Sequence, residues 1–138
     1  DLYFAQKKTG SYKINSNSKL IDLKKSQKLF VSNQSNITRI IGSRSHSNQS
    51  FHSWVNQNFH NTEIVQSGSS LKFCLIAEGT ADIYPRFGPT SEWDIAAGHI
   101  IVDEAGGRVN TFQNNEINYN LKEDLLNPQF YAIGNYKL

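Results

Sequence analysis

Four short polar stretches hold the residues best suited to chemistry. Ser43-Arg44-Ser45-His46 combines hydroxyls, a guanidinium and an imidazole, and Gly68-Ser69-Ser70 is followed by Lys72. Arg86 closes a run of β-rich residues, and Asp94 stands in Trp93-Asp94-Ile95-Ala96-Ala97-Gly98-His99. Cations, hydroxyls and helix N-termini hold phosphate because each turns a donor or a positive charge toward an anionic oxygen. The inventory points to a phosphorylated ligand. Each stretch also has a plainer reading. Ser43 to Ser47 would serve as a helix-capping loop. Lys72, one turn into a helix, is ordinarily a solvated cation. Asp94 in a first helical turn gains roughly 0.3–1 kcal/mol from the macrodipole with no metal involved. His99, Asp103 and Glu104 share helical spacing, yet with no Cys or second His beside them they read as a polar helix face and not as a metal cluster.

For these groups to converge, the chain must bring the ends of several elements together. Leu2 to Ile14 reads as two β-rich runs around Lys7-Lys8-Thr9-Gly10, a hairpin whose glycine can take positive φ. A lone hairpin is marginal in water, so further partner strands are expected outside this sequence. Residues 15–28 read as a polar connection with a short strand near Leu20 and Ile21. From Leu29 the pattern alternates. Strands are expected at Leu29–Val31, Thr38–Ile41, Glu63–Gln66, Ala81–Phe87, Arg108–Phe112 and Phe130–Ile133. One helix sets Phe51, Trp54, Val55 and Phe59 on a single face. A second runs from Leu71 to Glu78 with Leu71, Cys74 and Leu75 inward and Gly79 past its end. A third runs from Glu92 to Ala105, capped by Thr90 or Ser91, with Trp93, Ala96, Ala97, Ile100, Ile101 and Ala105 on the inward stripe and Gly106-Gly107 stopping it. Strands alternating with helices imply an α/β fold, a mostly parallel sheet with helices on both faces, preceded by a strand hairpin from an antiparallel first domain. The expected division is 1–30, trailing strands of that first domain, and 31–138, a C-terminal α/β domain. Ligands of such sheets gather at the carboxyl ends of the strands, where the four polar stretches would lie.

Composition narrows the classes. The 138 residues suffice for one packed core, and no apolar run approaches the roughly 18–20 residues of a membrane span. The single cysteine, Cys74, lies between Phe73 and Leu75 and suits a buried thiol in a reducing compartment, hence the cytoplasm. Seven of the fourteen basic residues fall between Lys7 and Lys28, in a stretch rich in Ser and Asn without interleaved arginine. That favours a solvated surface over a nucleic-acid polymer as partner. No methionine occurs, even at position 1, so the chain is expected to be a processed or partial product.

The run Gly68-Ser69-Ser70-Leu71-Lys72-Phe73-Cys74 onward to Glu104-Ala105-Gly106-Gly107-Arg108-Val109 resembles the C-terminal part of the inositol monophosphatase superfamily. The superfamily's signature joins a Trp-Asp-x-Ala-Ala-Gly segment to Glu-Ala-Gly-Gly. Within it, Ser43-Arg44-Ser45-His46, Gly68 to Cys74, Tyr84-Pro85-Arg86-Phe87-Gly88-Pro89-Thr90 and Leu126-Asn127-Pro128 look most like the 3'(2'),5'-bisphosphate nucleotidases of the CysQ type, over Leu2 to about Tyr131. The resemblance implies a magnesium-dependent, lithium-sensitive phosphatase that removes the 3'-phosphate of adenosine 3',5'-bisphosphate during sulfate assimilation, giving AMP and phosphate. It implies that Asp94 ligates Mg2+ and orients the scissile phosphate, that Lys72 and Arg86 neutralise phosphate charge, and that Ser45, His46 and Ser69 lie around the nucleotide. It also implies a cytoplasmic place, with peripheral attachment to the inner membrane in bacterial relatives. Inositol phosphates and 3'-phosphoadenylyl sulfate remain alternative substrates, and a non-catalytic nucleotide-binding module an alternative role.

Magnesium prefers near-octahedral oxygen coordination, and displacement by metal-bound water needs several carboxylates. The family draws the others from an upstream glutamate and an Asp-Pro-Ile/Leu-Asp-Gly-Thr segment. This sequence has no Asp-Pro and no Asp-Gly dipeptide. The expectation is therefore the C-terminal half of a two-domain phosphatase, incompetent without its missing N-terminal domain.

Overall fold

The computed structural model describes residues 1–15, 23–33, 36–42 and 49–136. The strand expected near Leu20 and Ile21, and the loop with Ser45 and His46, lie outside them. Strands β1 (Leu2–Gln6) and β2 (Gly10–Ile14) pair antiparallel with Gln6 opposite Gly10. The turn between them needs left-handed backbone at Lys8 (φ 67°) and Gly10 (φ 116°), as the glycine foreshadowed. β3 (Gln27–Lys28) adds to the other side of β2. The strand expected at Leu29–Val31 is not formed. Ladder pairing stops at Lys28, and the Val31 N–H donates to the Ala105 carbonyl at 3.0 Å, so this segment leaves the sheet for the end of a helix.

The second sheet contains β4 (Thr38–Gly42), β5 (Thr62–Gln66), β6 (Ile83–Arg86), β7 (Arg108–Thr111) and β8 (Phe130–Ile133), in the order β5-β4-β6-β8-β7. β5, β4 and β6 are parallel, while β8 runs antiparallel to both β6 and β7. Four strands thus share a direction and the last one opposes them. This is the mixed α/β sheet, and consecutive residues on its strands split between two cores. Ile40 meets Phe51 and Val55 of α1 (Gln49–Asn58), whereas Ile41, Tyr84, Phe130 and Ala132 meet α2 (Leu71–Ala77) and α3 (Glu92–Glu104). Helices therefore cover both faces.

α2 and α3 are buried on two sides. Phe73, Ile76, Ile95 and Val102 pack on the mixed sheet, while Ala77, Ile101 and Ala105 join Leu29, Tyr3 and Ala5 beside the antiparallel sheet. The inward stripes expected from sequence are corrected accordingly. Leu71 is 47% exposed and Trp93 is 69% exposed, Ala96 and Ala97 face outward, and Lys72, Phe73, Ile95, Gly98 and Val102 take the interior. At the helix crossing, a Cβ on Gly98 would lie 2.5 Å from Phe73 Cδ2, so only glycine lets the two backbones approach this closely. Behind the sheet, fully buried Asp82 pairs with the Arg39 guanidinium at 2.6 Å and also accepts from the Arg39 N–H and the Ser32 hydroxyl.

Candidate functional site

A cleft of about 540 Å³ opens where α2, the end of β6 and the start of α3 meet. It is lined by Ser69, Lys72, Tyr84, Arg86, Thr90, Trp93 and Asp94 among others. Four residues singled out from sequence, Ser69, Lys72, Arg86 and Asp94, are thus brought to one place. Ser45 and His46 fall outside the described residues.

Local folding fixes each group. Ser69 precedes α2 in left-handed backbone, φ 54°, an uncommon conformation for a residue with a side chain. Lys72 follows, only 5% exposed, its ammonium 4.9 Å from the centroid of the Tyr84 ring. Burial, and then the positive charge of Arg86, hold the Lys72 amine below its ordinary pKa. No carboxylate among the described residues pairs with it. A buried cation without a counterion is costly, and an anion in the cleft would relieve that cost.

Arg86 ends β6 two residues after Tyr84, so both side chains leave the same face of the strand. Its guanidinium donates to the Gly88 and Pro89 carbonyls, both at 3.1 Å, which holds it in place at the lining of the cleft. Burial raises the Tyr84 phenol and outweighs the nearby charge and hydrogen bond of Arg86, so the ring beneath Lys72 stays neutral. Asp94 is the third residue of α3, and one of its oxygens accepts the Ser91 N–H at 2.8 Å. The helix start thereby fixes the rotamer of an exposed carboxylate.

Sequence reasoning did not assign Tyr84, Thr90 or Trp93 to the cleft. The i, i+2 spacing of Tyr84 and Arg86 on one strand was the usable signal for the first. Trp93 was given to the interior, which it does not enter. His99, Asp103 and Glu104 each have structural partners. His99 contacts the Tyr119 hydroxyl through Nδ1 at 2.6 Å and Asp103 through Nε2 at 3.2 Å, while Glu104 accepts the Lys8 and Gly10 N–H groups. Among the described residues no three His, Cys, Asp or Glu side chains are grouped to hold a metal. Among the described residues Asp94 is the one carboxylate lining the cleft, so these residues could supply a single ligand to Mg2+ and do not by themselves build its coordination shell.

The profile of the inositol monophosphatase family matches residues 1–135. The 3'(2'),5'-bisphosphate nucleotidase CysQ of Buchnera aphidicola is 50% identical over 95 residues, 67% of this chain and 36% of that protein. The CysQ of Escherichia coli K12 is 46% identical over 92 residues, 66% of this chain and 37% of the relative. The crystal structure of CysQ from Bacteroides thetaiotaomicron superposes with a TM-score of 0.85 at 38% identity, over 98% of this chain and 54% of that one. The chain therefore spans about half of that solved structure, and the aligned part covers little more than a third of the curated relatives. No helix among the described residues is long and apolar enough to cross a membrane.

Proposed function

The chain belongs to the inositol monophosphatase family, and from that premise we propose that its cleft is the phosphate-binding wall of a magnesium-dependent 3'(2'),5'-bisphosphate nucleotidase. The observation that carries the proposal is the buried Lys72 ammonium, without a carboxylate partner among the described residues, opening on a cleft shared with Arg86 and Asp94. Two cations on one side of a cleft suit a ligand with more than one phosphate charge. The similarity to proteins named 3'(2'),5'-bisphosphate nucleotidase supports a bisphosphate nucleotide as that ligand; in this proposal it is adenosine 3',5'-bisphosphate, with AMP and phosphate as products and sulfate assimilation as the setting.

In this reading Lys72 and Arg86 neutralise phosphate oxygens and Ser69 donates from its exposed turn. Tyr84, packed under Lys72, keeps water from the buried end of the cleft, where the weaker screening strengthens both cationic contacts. Asp94 contributes one metal ligand, held by its bond to the Ser91 N–H. Mg2+, when bound with further ligands, would polarise the scissile phosphate. Ser45 and His46 would stand near the base or ribose.

Calorimetry with the purified chain tests the reading. Adenosine 3',5'-bisphosphate should bind more tightly than inositol 1-phosphate, and Lys72→Gln should lose most of that affinity. Equal affinity for the two ligands would remove the nucleotide assignment, and no binding of either would remove the phosphate site. With one carboxylate in the cleft, the chain with Mg2+ should not turn over the nucleotide. Adding the complementary N-terminal half of a CysQ relative should restore hydrolysis, whereas turnover by the chain alone would overturn the assignment of incompetence. Binding that never becomes hydrolysis on complementation would instead mark a nucleotide-binding module.

A further inference from the structure

The connection between β7 and β8 crosses the outer side of the cleft wall and is laced to it. The Glu92 N–H donates to the Leu125 carbonyl at 2.9 Å, Ser91 and Leu126 form an isolated antiparallel bridge, and the Asn127 N–H donates to the Thr90 carbonyl at 2.8 Å. Glu92 accepts the Asn120 N–H at 2.8 Å and the Lys122 ammonium at 2.6 Å. One side-chain contact in this lacing bears on the cleft itself. Asn127 Nδ2 donates to the Thr90 hydroxyl oxygen at 3.1 Å, and Thr90 lines the cleft.

A threonine hydroxyl has one proton and two lone pairs. With a lone pair taken by Asn127, the proton points away from the amide, and no acceptor among the described residues receives it. Asn127 itself is buried, and its Oδ1 has no hydrogen-bond partner among the described residues. A buried unpaired amide oxygen costs stability, so an apolar residue would serve this position better if holding the loop were its whole purpose. The backbone N–H to Thr90 would hold the loop whatever the side chain.

We propose that Thr90 is a ligand-binding residue whose hydroxyl donates to an anionic phosphate oxygen in the cleft, and that Asn127 is the positioning residue that turns its proton inward. The proposal rests on the phosphate-site reading above. It adds a neutral donor to the two cations and the Asp94 carboxylate that line the same cleft. A neutral donor discriminates by direction, where the Lys72 ammonium acts mainly as a point charge.

Titration of the chain with adenosine 3',5'-bisphosphate, with Lys72→Gln as a reference, tests it. Thr90→Val keeps the shape and removes the proton, and should weaken binding about tenfold, the usual scale for a hydrogen bond to a charged group. Thr90→Ser should restore affinity to within about twofold of the wild type, because it returns the donor and the acceptor together. Asn127→Ala should weaken binding by roughly threefold to fivefold with its melting temperature unchanged or raised, since the unpaired oxygen leaves with the amide. Wild-type affinity in Thr90→Val while Lys72→Gln loses the ligand would overturn the Thr90 assignment and leave the phosphate site standing. Equal losses in Thr90→Val and Thr90→Ser would overturn it as well, as would wild-type affinity in a folded Asn127→Ala for the positioning role. Failure of the wild type to bind, or indifference to Lys72→Gln, would take the site and the proposal together. Circular dichroism of each variant establishes that the fold is retained, and Thr90→Ala, which also removes the hydroxyl, decides the outcome if Thr90→Val does not fold.

Discussion

The Lys72 ammonium sits 4.9 Å above the Tyr84 ring, and its side chain is held there by burial with no opposing carboxylate among the described residues. A lysine whose folded-state pKa lies below the ordinary 10.5 binds fewer protons folded than unfolded in the interval between the two values. Its contribution to stability therefore rises as pH climbs through that interval and is least favourable below it. Lys72→Met should melt higher than the wild type at pH 7, and the gap should close as pH approaches 10.5. The same variant should lose the nucleotide. Thermal denaturation between pH 7 and pH 10.5, paired with calorimetry, measures both; a lower melting temperature at pH 7 would contradict the uncompensated burial.

Asp94 both caps α3 and faces the cleft, and the two roles separate in Asp94→Asn. The amide oxygen can still accept the Ser91 N–H, so the cost should stay near the roughly 0.3–1 kcal/mol of a lost helix-start charge. In a full-length chimera joining this sequence to the remaining part of a CysQ relative, turnover with Mg2+ should largely disappear. Near-normal turnover would remove Asp94 from the list of metal ligands.

Gly98→Ala should destabilise by about 1–3 kcal/mol, because the new methyl meets the Phe73 ring across the α2–α3 crossing. Phe73→Leu in the same chain should recover part of that loss. Denaturant unfolding of the single and double variants measures the coupling, and additive effects would show that the contact is not the cause.

Asp82 is fully buried, and burial alone would raise its pKa. Donors from Arg39 and Ser32 outweigh that and hold the carboxyl below its ordinary 3.8. Its stabilising contribution is present above the ordinary value and is lost as pH falls through the lower, folded-state value. Asp82→Asn should cost about 3 kcal/mol at neutral pH, since Arg39 loses its counterion. It should also unfold with a shallower acid dependence below pH 3.8 than the wild type. An unchanged acid limb would mean that other carboxylates govern it.

Much of the fold was written in local patterns. The Lys7 to Gly10 turn, the α1 face of Phe51, Trp54 and Val55, and the glycine after α3 each rest on interactions within a few residues. What failed was the choice of inward face on α2 and α3. Amphipathic reasoning assumes one wet side, and these helices lie between two sheets, so apolar residues surround them and the period does not choose. Trp93, Ala96 and Ala97 form as good a stripe as Ile95, Gly98 and Val102. The same sandwiching hides Lys72, which looked like a solvated cation because nothing in its neighbours announces a second layer. Asp94 was legible through a short motif, yet its place in one cleft with Lys72, 22 positions earlier, depends on how α2, β6 and α3 pack.

The order β5-β4-β6-β8-β7 places β8 inside the sheet, between two strands that precede it in the sequence. A ribosome releasing this chain would expose the inner edges of β6 and β7 until Phe130–Ile133 emerged to fill the gap. Asn127, which ties down Thr90, arrives only just before that strand. The cleft wall around Thr90 is thus fixed only once β8 has been made, and removal of Phe130–Ile133 would open a gap between β6 and β7 and split the sheet.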